Sequence, residues 1–191
     1  MTPFAAGAAL LLVDLQQGFD APGWGRRNNP ALEARAAELL AAWRAAGRPV
    51  FHARHMSTLP GSPLRPGQPG NDFKELTAPR AGEPVLEKRV NSCFIGTPLE
   101  AELRRRGLRT LVVAGLTTNH CVSTTARMAG NLGFDTWVVS DATATFDRAG
   151  PDGVVHPAEL VHAIALADLH GEFATVIDTR TALHGSAGSL P

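Results

Sequence analysis

The chain has 191 residues, 44% of them apolar and 19% charged, as expected of a soluble globular protein long enough to bury a substantial core. Eighteen basic residues balance eighteen acidic ones, so the formal charge is zero and gives no net attraction to nucleic acid or an anionic membrane. Two cysteines exclude a disulfide framework and a cysteine zinc quartet, consistent with a reducing, cytoplasmic setting.

The first apolar run, "FAAGAALLLV", has the length of a signal-peptide core. No basic segment precedes it, however, and it runs directly into Asp14 and "DLQQGF". It is also too short to span a bilayer, and its second half, 9–13, reads as a buried strand. Residues 29–47 predict a helix, with Pro30 at a first helical position, Gly47 at the C-terminal cap, and Leu32, Ala36, Leu39, Leu40 and Trp43 at helical spacing. A strand is expected at 49–53. Residues 55–83 then carry prolines at 60, 63, 66 and 69 and glycines at 61, 67 and 70, which predicts a long, stiffened loop. Such loops serve as lids or interface arms, or stay disordered.

A shorter, more lateral strand is expected at 84–88. A helix at 97–107 has Thr97 as N-cap, Pro98 after it, Glu100 completing a capping box and Gly107 closing it. A strand at 110–115, a helix at 119–132, a strand at 136–140, a helix at 157–169 and a lateral strand at 173–177 complete the pattern. Continuous apolar runs, rather than alternation, indicate strands covered on both faces. The order predicts one α/β domain over residues 1–191, doubly wound around a mostly parallel sheet with helices on both faces.

In such sheets, sites form beyond the carboxyl ends of the strands. Asp14 follows the first strand, Lys88 ends "PVLEK", and Cys121 lies just past "TLVVAG". Each has an ordinary reading: a turn-capping aspartate, a solvated lysine, a packed thiol. Yet the chain uses lysine only at 74 and 88 among its 18 basic residues, so a lysine at a strand end hints at a need for a compact ammonium. Cys121 falls in the first turn of a predicted helix, where free N–H groups and Lys88 would lower its pKa and Asp14 would accept its proton. Together they supply nucleophile, base and electrostatic partner.

"LLVDLQQGF", "EKRVNSCF" and "AGLTTNHCVSTTARMAGNLGF", in this order, resemble the isochorismatase-like cysteine hydrolases over residues 7–180. The resemblance is stronger to N-carbamoylsarcosine and ureidoacrylate amidohydrolases than to metal-binding nicotinamidases. It implies a six-stranded sheet, a triad of Asp14, Lys88 and Cys121, and a cis peptide between Leu116 and Thr117. That peptide would aim the Thr117 N–H, with that of Cys121, at one oxyanion position. The implied activity is cleavage of an amide, carbamoyl or ureide C–N bond of a small molecule through a thioester. It needs no cofactor. A homodimer or homotetramer is also expected.

Nicotinamidases carry an Asp-x-His metal motif after the second strand. The matching stretch here is "FHARHMS", with His55 in place of the aspartate and Ser57 in place of the first histidine. His52 and His55, three apart on a strand, are expected to point to opposite faces, so no metal is assigned. Isochorismatases proper cleave a vinyl ether with the aspartate and generally lack the cysteine, so Cys121 favours amide chemistry. Phe19, Trp24, Phe94 and His120 are candidate substrate contacts, each with an alternative as core, loop anchor or helix cap. Two other readings stay open: vinyl-ether hydrolysis by Asp14 without Cys121, and a binding or thiol-redox-sensing protein on this scaffold.

Overall fold

A computed structural model describes Phe4 and residues 7–184. In chain order the regular elements are β1 (Ala9–Val13), α1 (Leu32–Ala45), β2 (Val50–His55), β3 (Val85–Lys88), α2 (Leu99–Arg105), β4 (Thr110–Leu116), α3 (Ser123–Asn131), β5 (Asp135–Ala144), β6 (Arg148–Ala149), β7 (Val155–His156), α4 (Ala158–Leu169), β8 (Thr175–Ile177) and α5 (Thr179–His184). Six strands form one sheet in the order β3-β2-β1-β4-β5-β8, and every pairing in it is parallel. The two strands read as lateral are its edges. β6 and β7 make a separate antiparallel hairpin that the sequence pattern did not announce.

The fully apolar strands are buried from both sides. Leu10, Leu12 and Val112 pack with Leu32, Leu39, Leu40 and Trp43 of α1, the residues placed at helical spacing. Ala9, Leu11, Val113 and Val138 pack on the opposite face with Leu99 and Leu103 of α2 and Ala126 and Ala129 of α3. The Trp43 indole N–H donates to the Ala8 carbonyl at 2.9 Å, so the largest side chain of that layer leaves no orphan donor.

Two helix starts differ from expectation. α1 begins at Leu32 because Asn29 does not cap it: with φ +44°, Asn29 donates through Nδ2 to the carbonyls of Ser140 and Thr143. In α2, Thr97 Oγ1 accepts the Leu99 N–H at 3.3 Å, whereas Glu100 pairs with Arg104 rather than reaching back to close a capping box.

The long segment after β2 is ordered by two buried amide side chains. Gln16 accepts the His55 N–H through Oε1 at 2.8 Å and donates through Nε2 to the carbonyls of His55 and Asn71. Asn71 donates through Nδ2 to the carbonyls of His55 and Leu64. The loop thus folds back onto the residues after β1. Gly18 and Gly70 are needed there, since a Cβ on Gly70 would stand 2.3 Å from the Pro63 carbonyl oxygen.

Candidate active site

Strand order reverses between β1 and β4, and the carboxyl ends of β3, β2, β1 and β4 lie side by side. Asp14 follows the last residue of β1 in a left-handed conformation, φ +50°, which aspartate tolerates better than most residues. His55 and Lys88 are the terminal residues of β2 and β3 and sit opposite each other in register. Past β4 the Leu116–Thr117 peptide is cis, and a π-type turn over Thr118–Val122 leads into α3. The Thr117 carbonyl accepts the N–H groups of His120 and Val122, both at 3.1 Å, passing over that of Cys121 between them.

These elements bring Asp14, Lys88 and Cys121 together. Lys88 Nζ donates to Asp14 Oδ2 at 2.7 Å and to Cys121 Sγ at 3.3 Å. It also donates to the Val90 carbonyl at 3.3 Å and lies 3.2 Å from His55 Nδ1. Lys88 and Asp14 are buried, which an ammonium and a carboxylate tolerate only as a bonded pair. Burial opposes the Lys88 charge, but Asp14, Cys121 and Cys93 outweigh it, so the ammonium is held above its ordinary range.

The Cys121 thiol departs from the sequence expectation. Burial pushes its pKa up and Asp14 adds to that, with Lys88 opposing both; the net direction is upward. The resting side chain is therefore a thiol beside a carboxylate. Cys93 is buried and pushed up to about 12, chiefly by burial and then by Asp14, and it belongs to the core around α2 and α3.

A cavity of about 140 Å³ opens onto Asp14, Thr117 and Cys121. Phe19, Trp24 and Leu64 form its apolar wall, and His55, Asn91 and His120 its polar one. Trp24 is also a loop anchor, donating to the Gly18 carbonyl at 2.9 Å and stacking on Phe146. His120 is half-buried, and burial with the nearby Arg148 charge lowers its pKa. Phe94 is not part of the cavity: it stacks on Phe134, ring centroids 5.8 Å apart, in the core around α2 and α3. Its closeness in sequence to Lys88 misleads because Val90 and Asn91 stay at the site while Cys93 and Phe94 are packed in that core.

Metal donors are present but already engaged. Asp14, His55 and Cys121 each offer one ligand atom within 4.8 Å of the others, yet the Lys88 ammonium touches all three side chains. A further cation would have to displace it. His52 is directed elsewhere, its Nε2 lying 2.8 Å from Glu83. The sequence reading missed the contacts of His55 with Lys88 and of Leu64 and Asn91 with the cavity; nothing in residue spacing reveals them, because the first depends on the register of β2 with β3, the second on the path of the long loop and the third on the turn after β3.

The family model for the Isochorismatase domain matches residues 8–181. The uncharacterized isochorismatase family protein YrdC of Bacillus subtilis (strain 168) is 46% identical over 171 residues, 90% of this chain and 91% of that protein. A crystal structure of an isochorismatase-family protein from Chromobacterium violaceum ATCC 12472 superposes with a TM-score of 0.93 at 47% identity, covering 97% of this chain and 96% of the other. The maleamate amidohydrolase of Pseudomonas putida KT2440 is 33% identical over 154 residues, 72% of each chain. Among the described residues no helix is long and apolar enough to cross a membrane. The parallel sheet, the side chains gathered at its carboxyl end and these likenesses agree, and the chain belongs to the isochorismatase family of hydrolases.

Proposed function

We propose that this protein is a cysteine-dependent amidohydrolase that cleaves an amide, carbamoyl or ureide C–N bond of a small molecule. The observation that carries the reading is the contact of one buried ammonium with both a carboxylate and a thiol at the floor of a cavity. The likeness to a maleamate amidohydrolase supports it.

Asp14 Oδ1 is buried without a hydrogen-bond partner among the described residues, which leaves it free to take a proton. In the proposed reaction Asp14 removes the Cys121 proton as Sγ attacks the carbonyl carbon. General-base removal suits a thiol whose pKa is raised, since no standing thiolate is needed. The N–H groups of Thr117 and Cys121 hold the oxyanion, that of Cys121 being one the Thr117 carbonyl does not accept. Asp14 then protonates the leaving nitrogen, the C–N bond breaks, and ammonia or an amine departs. Water gives a proton to Asp14 and attacks the thioester; the C–S bond breaks and the proton returns to sulfur. Lys88 balances the negative charge as it moves between Asp14, sulfur and oxyanion.

Ammonia release from a panel of primary amides, carbamoyl compounds and ureides tests the proposal. Turnover of at least one compound is expected, with a loss of 10³-fold or more in Cys121→Ala and Asp14→Asn. Undiminished turnover in Cys121→Ala would overturn it in favour of chemistry by Asp14 alone.

A further inference from the structure

We propose that His55 is a substrate hydrogen-bond donor and that the cavity takes small uncharged amides while refusing amides that carry a carboxylate. The inference rests on the amidohydrolase reading and narrows its substrate class.

The tautomer of His55 follows from its neighbour. An ammonium has donors and no acceptor, so the ring nitrogen facing Lys88 Nζ at 3.2 Å, Nδ1, presents its lone pair. The ring proton of the neutral imidazole then sits on Nε2. Burial, and after it the Lys88 charge, holds the His55 pKa below its ordinary value, which keeps the ring neutral. Nε2 has no protein partner among the described residues, and the ring lines the cavity. The backbone beneath it is fixed, since Gln16 bonds both the N–H and the carbonyl of His55 and Asn71 bonds the carbonyl again. The result is a preoriented N–H donor on a rigid strand end, suited to a carbonyl or other neutral acceptor on the substrate.

Charge and volume set the second half. Among the described residues no arginine or lysine lines the cavity; its charged wall residue is Asp14. The one ammonium behind that wall, Lys88, is already surrounded by four acceptors. Arg148, whose charge reaches His120, is exposed on the β6–β7 hairpin, outside the lining. A ligand carboxylate drawn into this space would lose water and gain only neutral donors beside an existing anion. A neutral amide group loses less and finds His55 Nε2–H and the Asn91 side chain. At about 140 Å³ the space is also far below the roughly 300–1,000 Å³ of pockets for drug-sized ligands.

Two matched pairs test this, maleamide against maleamate and succinamide against succinamate, which differ in charge and hardly in shape. The wild-type enzyme is expected to release ammonia from the diamide with kcat/KM at least 30-fold above that for the acid. His55→Ala is expected to raise KM for the diamide about tenfold with a smaller effect on kcat, and His55→Gln, which keeps an N–H donor, to recover most of it. ¹⁵N NMR of the wild-type protein is expected to show His55 as the neutral Nε2–H tautomer between pH 6 and 8. Binding of the same pairs to Cys121→Ser, followed by NMR titration, separates the two levels of the claim. Selective binding of the diamides without turnover of these four or of any compound in the wider panel by the wild type would sink the amidohydrolase reading and leave the specificity standing. Preference for an acid in either assay, absence of binding by both diamides, or a proton on Nδ1 would overturn the inference.

Discussion

Gly115 of β4 passes so close to Val13 of β1 that a Cβ on it would stand 2.0 Å from the Val13 carbonyl oxygen. Its φ is +124°, where side chains other than glycine's are strained. This crossing lies one residue before Asp14 and two before Thr117, so the spacing of the two strands there sets the position of the carboxylate relative to the turn carrying Cys121. Gly115→Ala is expected to cost about 3–5 kcal/mol from backbone strain and overpacking together, measured by urea denaturation. A loss under about 1 kcal/mol would show that the strands can part freely.

The Asp14–Lys88 pair predicts non-additive energetics. Lys88→Met removes the partner of a buried carboxylate and is expected to destabilise by about 3–5 kcal/mol. Adding Asp14→Asn should recover a large part of that, because the uncompensated charge is gone. A double mutant no more stable than Lys88→Met, by equilibrium denaturation, would contradict the pairing.

Alkylation of Cys121 reports on the proton between sulfur and carboxylate. Since burial and Asp14 both favour the thiol, the rate with iodoacetamide should climb with pH through and beyond the ordinary thiol range, with no plateau below pH 7. Asp14→Asn removes the anion opposing the thiolate and should move the profile to lower pH. The measurement is mass-spectrometric labelling in a Cys93→Ser background. A profile already level at pH 6 would mean a standing thiolate and a different division of labour.

Acid stability should depend on Glu83, which binds Arg44 at 2.7 Å and His52 at 2.8 Å. Foremost through Arg44, and despite partial burial, its pKa is lowered to about 2 from the ordinary 4.5. A carboxylate with a depressed folded-state pKa stabilises the fold above its unfolded value and loses that contribution as pH falls toward the folded one. Between about pH 4.5 and 2, the wild type should therefore lose on the order of 2–3 kcal/mol that Glu83→Gln has lost already at neutral pH. Chemical denaturation at pH 7, 4.5 and 2.5 checks this; parallel pH curves for the two proteins would refute it.

The strands and the long helices were legible because burial on both faces leaves continuous apolar runs, and a single buried face leaves the 3.6-residue spacing that placed Leu32 through Trp43. The β6–β7 hairpin and the six-residue α5 were not, since elements that short carry no period. Nor was the start of α1, where Asn29 spends its side chain on β5, 111 residues away. At the site, Asp14, Lys88 and Cys121 could be picked out as polar residues ending apolar strands. His55 was weighed only as a metal ligand, because its engagement by Lys88 depends on strand register. Phe94 had two readings, substrate contact or core, and it packs in the core, a choice set by the direction of the chain after β3. The thiol was judged from helix end and ammonium, both of which lower a pKa, without the burial that reverses the sign.

The clasp formed by Gln16 and Asn71 separates two jobs within the proline-rich segment. Its ends are pinned to the segment after β1 and to the end of β2, while Leu59, Pro60 and Gly61 at its turn are exposed and, among the described residues, make no hydrogen bond to the sheet ends. Residues at that crest can be exchanged, lengthened or shortened, and Leu64 would still be delivered to the same wall. The molecule thus keeps its reacting groups and their apolar wall on one pinned frame, and the crest of the loop is left to vary without disturbing either.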